Sequence, residues 1–182
     1  MRAQITTMLN LQDSMNRKVH PDWVNQQFAW YRAAWIECGE LIEHYGYKWW
    51  KKQSPDMEQV RLEVVDIWHF GMSMLLDGRD LSQIAAEVDQ QIKASTIKAG
   101  AAETVDVLVA TEALALSLLQ TRKFDVAKFW GLVLAAGLDF ETLFRAYVGK
   151  NVLNFFRQDH GYKEGTYVKL WQGREDNEHL SE

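Results

Sequence analysis

The stretch SPDMEQVRLEVVDIWHFGMSMLL, residues 54–76, decides the fold. Ser54, Pro55 and Asp56 supply an N-capping hydroxyl, a proline suited to the first helical position and an acid for the first turn, which together start a helix. Beyond them Val60, Glu63, Ile67, Phe70 and Met74 recur at helical spacing, so one stripe is apolar except for a carboxylate set inside it. Asp66 lies beside the stripe, three residues after Glu63, and His69 follows one turn on. An acid placed among core residues is costly unless a cation answers it.

The segment before it repeats the device. Trp30, Ala33, Glu37, Glu40 and His44 form one row, apolar at its start and acidic where Glu37 and Glu40 stand three apart. Two such helices packed antiparallel would bring four carboxylates to one place, where repulsion and desolvation demand a positive partner. Mg²⁺, a hard ion that prefers oxygen ligands, is the natural candidate, and it commonly serves phosphate chemistry. A di-iron carboxylate bundle also gathers acids between helices, but that chemistry wants two E-x-x-H motifs, and here Asp66-Ile-Trp-His69 alone comes near one.

Working outward, helical periodicity recurs and strand-like alternation is scarce. The spacing predicts helices over residues 2–16, 22–45 and 55–76, a break at Gly78 near Asp80, a fourth helix after it, and further helices over 101–121, 124–136 and 139–157. Pro21, like Pro55, reads as a helix start. From Gly161 onward glycines and charges accumulate and the helical pattern stops. The expected architecture is one all-α domain over residues 1–182, a helical bundle with an irregular polar tail from about residue 160.

Composition narrows the function. A chain of 182 residues, 47% apolar with eight Trp and eight Phe, supplies one substantial core. Its net charge of −5, with acids and bases interspersed, argues against a nucleic-acid-coating surface. A single cysteine, Cys38, excludes an internal disulfide framework and suits a reducing compartment. The start, Met1-Arg2-Ala3-Gln4, lacks the apolar core of a signal peptide, and the longest apolar run, residues 131–138, is too short to span a membrane. These features lead to the expectation of a soluble, cytoplasmic protein.

Four blocks of sequence carry a resemblance to a known family. They are Leu11-Gln-Asp-Ser-Met-Asn16; Glu37-x-x-Glu40 with Tyr47-Lys-Trp-Trp-Lys51; Glu63-x-x-Asp66 with His69; and Asn151-Val-Leu-Asn-Phe-Phe-Arg157 followed by Gly161-Tyr-Lys163, Gly165-x-Tyr167, Lys169-x-Trp171 and Glu175-Asp-Asn177. The chain resembles the dimeric all-α dUTPases of the all-α NTP pyrophosphohydrolase superfamily. The four acids mark only the superfamily, while the N-terminal amide pair and the C-terminal block are specific to dUTP hydrolysis. Met15 and Tyr47 depart from the family pattern by apolar exchange, and residues 81–138 carry no motif of it.

The resemblance implies a hydrolase, a dUTP diphosphatase that converts dUTP and dUDP to dUMP by attack of water on the β-phosphate at a carboxylate-held metal cluster. Glu37, Glu40, Glu63 and Asp66 would hold two or three Mg²⁺ per site, with Glu37 taking the proton from the water. Gln12 and Asn16, a turn apart on one face, would read the uracil edge through their amides. Trp49 and His69 would line the nucleoside pocket, and Asn154, Arg157, Tyr162, Lys163 and Lys169 would hold the phosphates as the tail folds over them. The family also implies a homodimer and a place in dUMP biosynthesis. Two alternatives stay open: a superfamily relative acting on another (d)NTP, and a protein-interaction module built on the same fold.

Overall fold

Aspartates fix where most helices begin. Asp56, Asp106, Asp125 and Asp139 each accept, through a side-chain oxygen, a backbone N–H from the first turn of the helix that follows, satisfying donors that have no partner inside the helix. Asp80 does the same for Ser82 and Gln83. The structure, a computed structural model, describes residues 1–99 and 105–181. Among the described residues seven α-helices run in order: α1 Arg2–Val19, α2 Trp30–Tyr45, α3 Met57–Leu75, α4 Leu81–Ala99, α5 Val107–Thr121, α6 Val126–Ala135 and α7 Phe140–Asp159. The fold is all-α.

The central member is α3, whose Val60, Val64, Ile67, Trp68 and Met72 are almost wholly buried. Trp68 stacks on Phe129 of α6, ring centres 4.9 Å apart and nearly parallel. Helix α2 lies antiparallel against α3: His44 meets Asp56 and Glu63 at one end, and Trp30 stacks on Phe70 at the other. Helices α1 and α7 cover the remaining flank of α3, with the Tyr147 hydroxyl of α7 3.1 Å from the Met8 carbonyl oxygen.

Two expectations are corrected. The helix expected over 22–45 is interrupted: Trp23–Gln26 forms a short 3₁₀ turn, Gln27 takes a left-handed conformation (φ 51°), and α2 begins at Trp30. Trp23 packs edge-on against Trp30 and donates to Asp13, a contact that folds the turn back and that a continuous helix could not make. Helix α3 is capped by Asp56 rather than Ser54, which leaves Pro55 outside it. The tail is irregular, as expected, and carries only a short pairing of Leu170–Trp171 antiparallel with Arg174–Glu175 before a 3₁₀ helix, Asp176–Ser181. Residues 101–104, the start of the helix expected over 101–121, lie outside the described residues, and α5 begins at Val107.

Candidate active site

Helices α1, α2, α3 and α7 and the tail enclose a cleft of about 740 Å³. At its acidic end Glu37, Glu63 and Asp66 each offer an oxygen within 4.8 Å of the others. The i, i+3 spacing on α3 and the antiparallel partner helix account for this convergence. Glu40 faces the same cleft but is exposed and stands outside the group of three. Burial, and then the charge of Asp66, pushes both the Glu37 and Glu63 carboxyls upward, Glu63 the further.

Two nitrogen-bearing side chains reach this cluster. Lys150 of α7, buried, donates from Nζ to Asp66 Oδ2 at 2.8 Å, and His44 Nε2 lies 3.5 Å from Glu63 Oε1. Three hard oxygen donors, two of them driven toward the protonated form, make a site that gains from a divalent cation. The donor set therefore fits Mg²⁺.

Beside the acids, one turn further along α3, the cleft is lined by a closed polar network. Gln12 Oε1 accepts from Tyr147 (3.0 Å) and lies 2.9 Å from His69 Nδ1, while its Nε2 donates to Asn16 Oδ1 and to Ser73 Oγ, each at 3.0 Å. Asn16 Nδ2 also donates to Ser73 Oγ, whose own proton goes to the His69 carbonyl. Gln12 thus spends both donors and both acceptor positions inside the protein, whereas Asn16 keeps a donor and an acceptor position in reserve. Burial, then Lys150, lowers His69 to about 3, so the ring is neutral. With Nδ1 turned to Gln12, His69 Nε2 is buried without a partner among the described residues, as is Asn177 Oδ1. Both residues line the cleft, and buried polar atoms left unpaired are costly until something pairs them.

Along α7, Lys150, Asn154 and Arg157 fall on one face and line the cleft. Arg157 is held by Asp176 of the tail, and Tyr162 and Lys169 approach from beyond the helix end, the Lys169 ammonium 5.8 Å from the Tyr162 ring. Two expected residues stand outside the lining. Lys163 is exposed and donates to the Val19 carbonyl, and Trp49 is 90% exposed on the loop between α2 and α3, edge-on to Trp50. The aromatic wall of the cleft is instead Phe28, Trp30 and Phe70.

Lys150, Ser73, Tyr147 and Asp176 were not singled out by sequence reasoning. Signals for some existed: Lys150 precedes Asn154 by one helical turn, Ser73 follows His69 by one, and Asp176 sits inside the quoted Glu175-Asp-Asn177 block.

A family model described as dUTPase matches residues 4–162 of the chain. No curated protein matches it.

Proposed function

Given that the chain belongs to the all-α dUTPase family and has the activity of a dUTP diphosphatase, we propose that this cleft cleaves dUTP and dUDP to dUMP. The observation that carries the reading is the convergence of Glu37, Glu63 and Asp66 in a cleft that is also lined by a buried amide network. The residues that would hold Mg²⁺ are Glu37, Glu63 and Asp66, with Glu40 facing them. Bound there, the ion would neutralise the polyphosphate and make the bridging oxygen a better leaving group.

The protein's own groups do the rest. Asn16, held by Gln12 and Ser73, presents its spare amide positions to the uracil edge, and His69 Nε2 offers an acceptor beside it. A cytosine edge reverses the pattern and leaves buried groups unpaired, at about 1–3 kcal/mol each. Phe28, Trp30 and Phe70 wall the nucleoside, and Asn154, Arg157, Tyr162 and Lys169 face the phosphates. Glu37, its carboxyl raised toward neutrality, takes the proton of the water whose oxygen bonds to the β-phosphorus. The bond from that phosphorus to the α-bridging oxygen breaks, and dUMP leaves with pyrophosphate or, from dUDP, phosphate.

The homodimer expected of the family has support in exposed apolar side chains on the packed pair α2 and α5: Trp35, Ile36, Val109, Leu116 and Leu119. No described helix is long and apolar enough to cross a membrane.

The test is turnover of dUTP, dUDP, dTTP, dCTP and UTP with Mg²⁺, beside a Glu63→Gln variant. Conversion of the first two to dUMP, lost in the variant, supports the reading. Cleavage of dCTP or dTTP with dUTP spared would remove the uracil assignment and leave the acidic cluster standing.

A further inference from the structure

A lysine is an expensive residue to bury, because its ammonium gives up strong hydration. Lys150 is nevertheless only 3% exposed, with Nζ 2.8 Å from Asp66 Oδ2. Its charge also acts on Glu37 and Glu63, lowering carboxyls that burial raises. One fixed ammonium therefore sits beside the three carboxylates that would hold the divalent ion. On α7 it shares a row with Asn154 and Arg157, which face the same cleft.

We propose that Lys150 is an internal counter-cation that competes with a divalent ion for Asp66, so that the site resists metal alone and takes up metal and polyphosphate together. The proposal rests on the reading of Glu37, Glu63 and Asp66 as metal-holding residues. An ion among these carboxylates would have to share Asp66 with a positive charge already in contact with it, and like charges a few ångströms apart in a partly screened site oppose one another strongly. A polyphosphate entering the cleft offers the ammonium new acceptors and takes away that opposition. Arg157 does not play this part, since Asp176 already neutralises it at 2.9 and 2.5 Å. The consequence is coupled loading: without nucleotide the cluster is held together by lysine, and with nucleotide it is free for the ion.

Isothermal titration with Mn²⁺ tests this, without and with a non-hydrolysable imido analogue of dUTP. Wild type should bind Mn²⁺ weakly alone and about tenfold or more tightly with the analogue, following the size of a unit charge at this range. Lys150→Met, and equally Lys150→Gln, should bind Mn²⁺ alone about tenfold more tightly than wild type and lose most of the analogue's enhancement. Lys150→Arg should keep the wild-type pattern, and melting curves report that each variant is folded. A lysine needed only for packing would weaken metal binding on removal. Unchanged or weaker Mn²⁺ binding by either folded neutral variant overturns the proposal. So does a wild type whose Mn²⁺ affinity ignores the analogue, an outcome that needs no variant. Wild-type Mn²⁺ binding by Glu63→Gln would overturn the metal reading itself, which separates the two failures.

Discussion

Asp176 holds the Arg157 guanidinium by both of its carboxylate oxygens, Nε to Oδ2 at 2.9 Å and Nη2 to Oδ1 at 2.5 Å, with both side chains buried. The Tyr167 hydroxyl donates to the same carboxylate at 2.7 Å. This pair fastens the tail to α7 and sets the next residue, Asn177, against the cleft. Arg157, read from sequence as a phosphate ligand, thus has a second task as the anchor of the tail.

Replacing Asp176 with Asn should therefore release the tail. The guanidinium would lose its carboxylate in a buried place, a change that typically costs about 3–5 kcal/mol. The expected outcome is faster tryptic cleavage at Lys169 and Arg174, with a raised KM for dUTP and an intact helical far-ultraviolet spectrum. An unchanged cleavage pattern would show that the ion pair does not hold the tail.

Gln12 and Asn16 should separate on mutation, although they sit one turn apart on one face. Gln12→Ala removes the common partner of His69, Tyr147, Asn16 and Ser73, leaving several buried groups unpaired. A loss of about 2–4 kcal/mol in stability is expected, visible as a lower Tm. Asn16→Ala breaks fewer internal bonds and should act chiefly on the discrimination of dUTP from dCTP. Equal melting temperatures for the two variants would contradict this division.

Gly71, in the middle of α3, has no room for a methyl group. A Cβ there would lie 2.4–2.6 Å from atoms of the Phe124 ring, itself packed against Trp68 and Phe129. Gly71→Ala must displace that cluster and should destabilise the protein by about 1–3 kcal/mol, against the gain that alanine brings to an exposed helix. Chemical denaturation measures it, and a stabilised variant would mean that the ring moves freely.

The sequence made α3 legible because its apolar period is long and interrupted by acids at a helical spacing, so Glu63 and Asp66 were found with their face. Helix α2 was legible in its acidic half only. The break at Gln27 answers to Trp23 packing on Trp30 and bonding to Asp13, contacts across the fold that no local pattern announces. Trp49 shows the same limit at the site: its motif is clear, yet the aromatic wall of the cleft is Phe28, just before α2, and Trp30, at its start, with Phe70 of α3. Lys150 was missed because a lysine in a helix reads as solvated surface until the partner carboxylate across the fold is known.

The acidic cluster should leave a signature in the pH dependence of stability without metal. Burial, then Asp66, pushes Glu63 up to about 9 and Glu37 up to about 7, from the 4.5 at which each would titrate unfolded. From pH 4.5 upward the folded form therefore holds protons that the unfolded chain has released, and stability falls as pH rises through that window. His69 works in the opposite sense over a lower range. Lowered to about 3 from 6.5, it leaves the folded form with fewer protons between those values, so its contribution is lost as pH drops. The two trends oppose each other up to about pH 6.5, and above it the carboxyls act alone. In EDTA the Tm should decline from pH 6.5 to 9, and Glu63→Gln should flatten the decline. Mg²⁺ with a dUTP analogue should raise the Tm most at the alkaline end, where the ionised carboxylates most need a cation. A flat EDTA profile across that range would mean that the three carboxylates do not crowd one another as the structure has them.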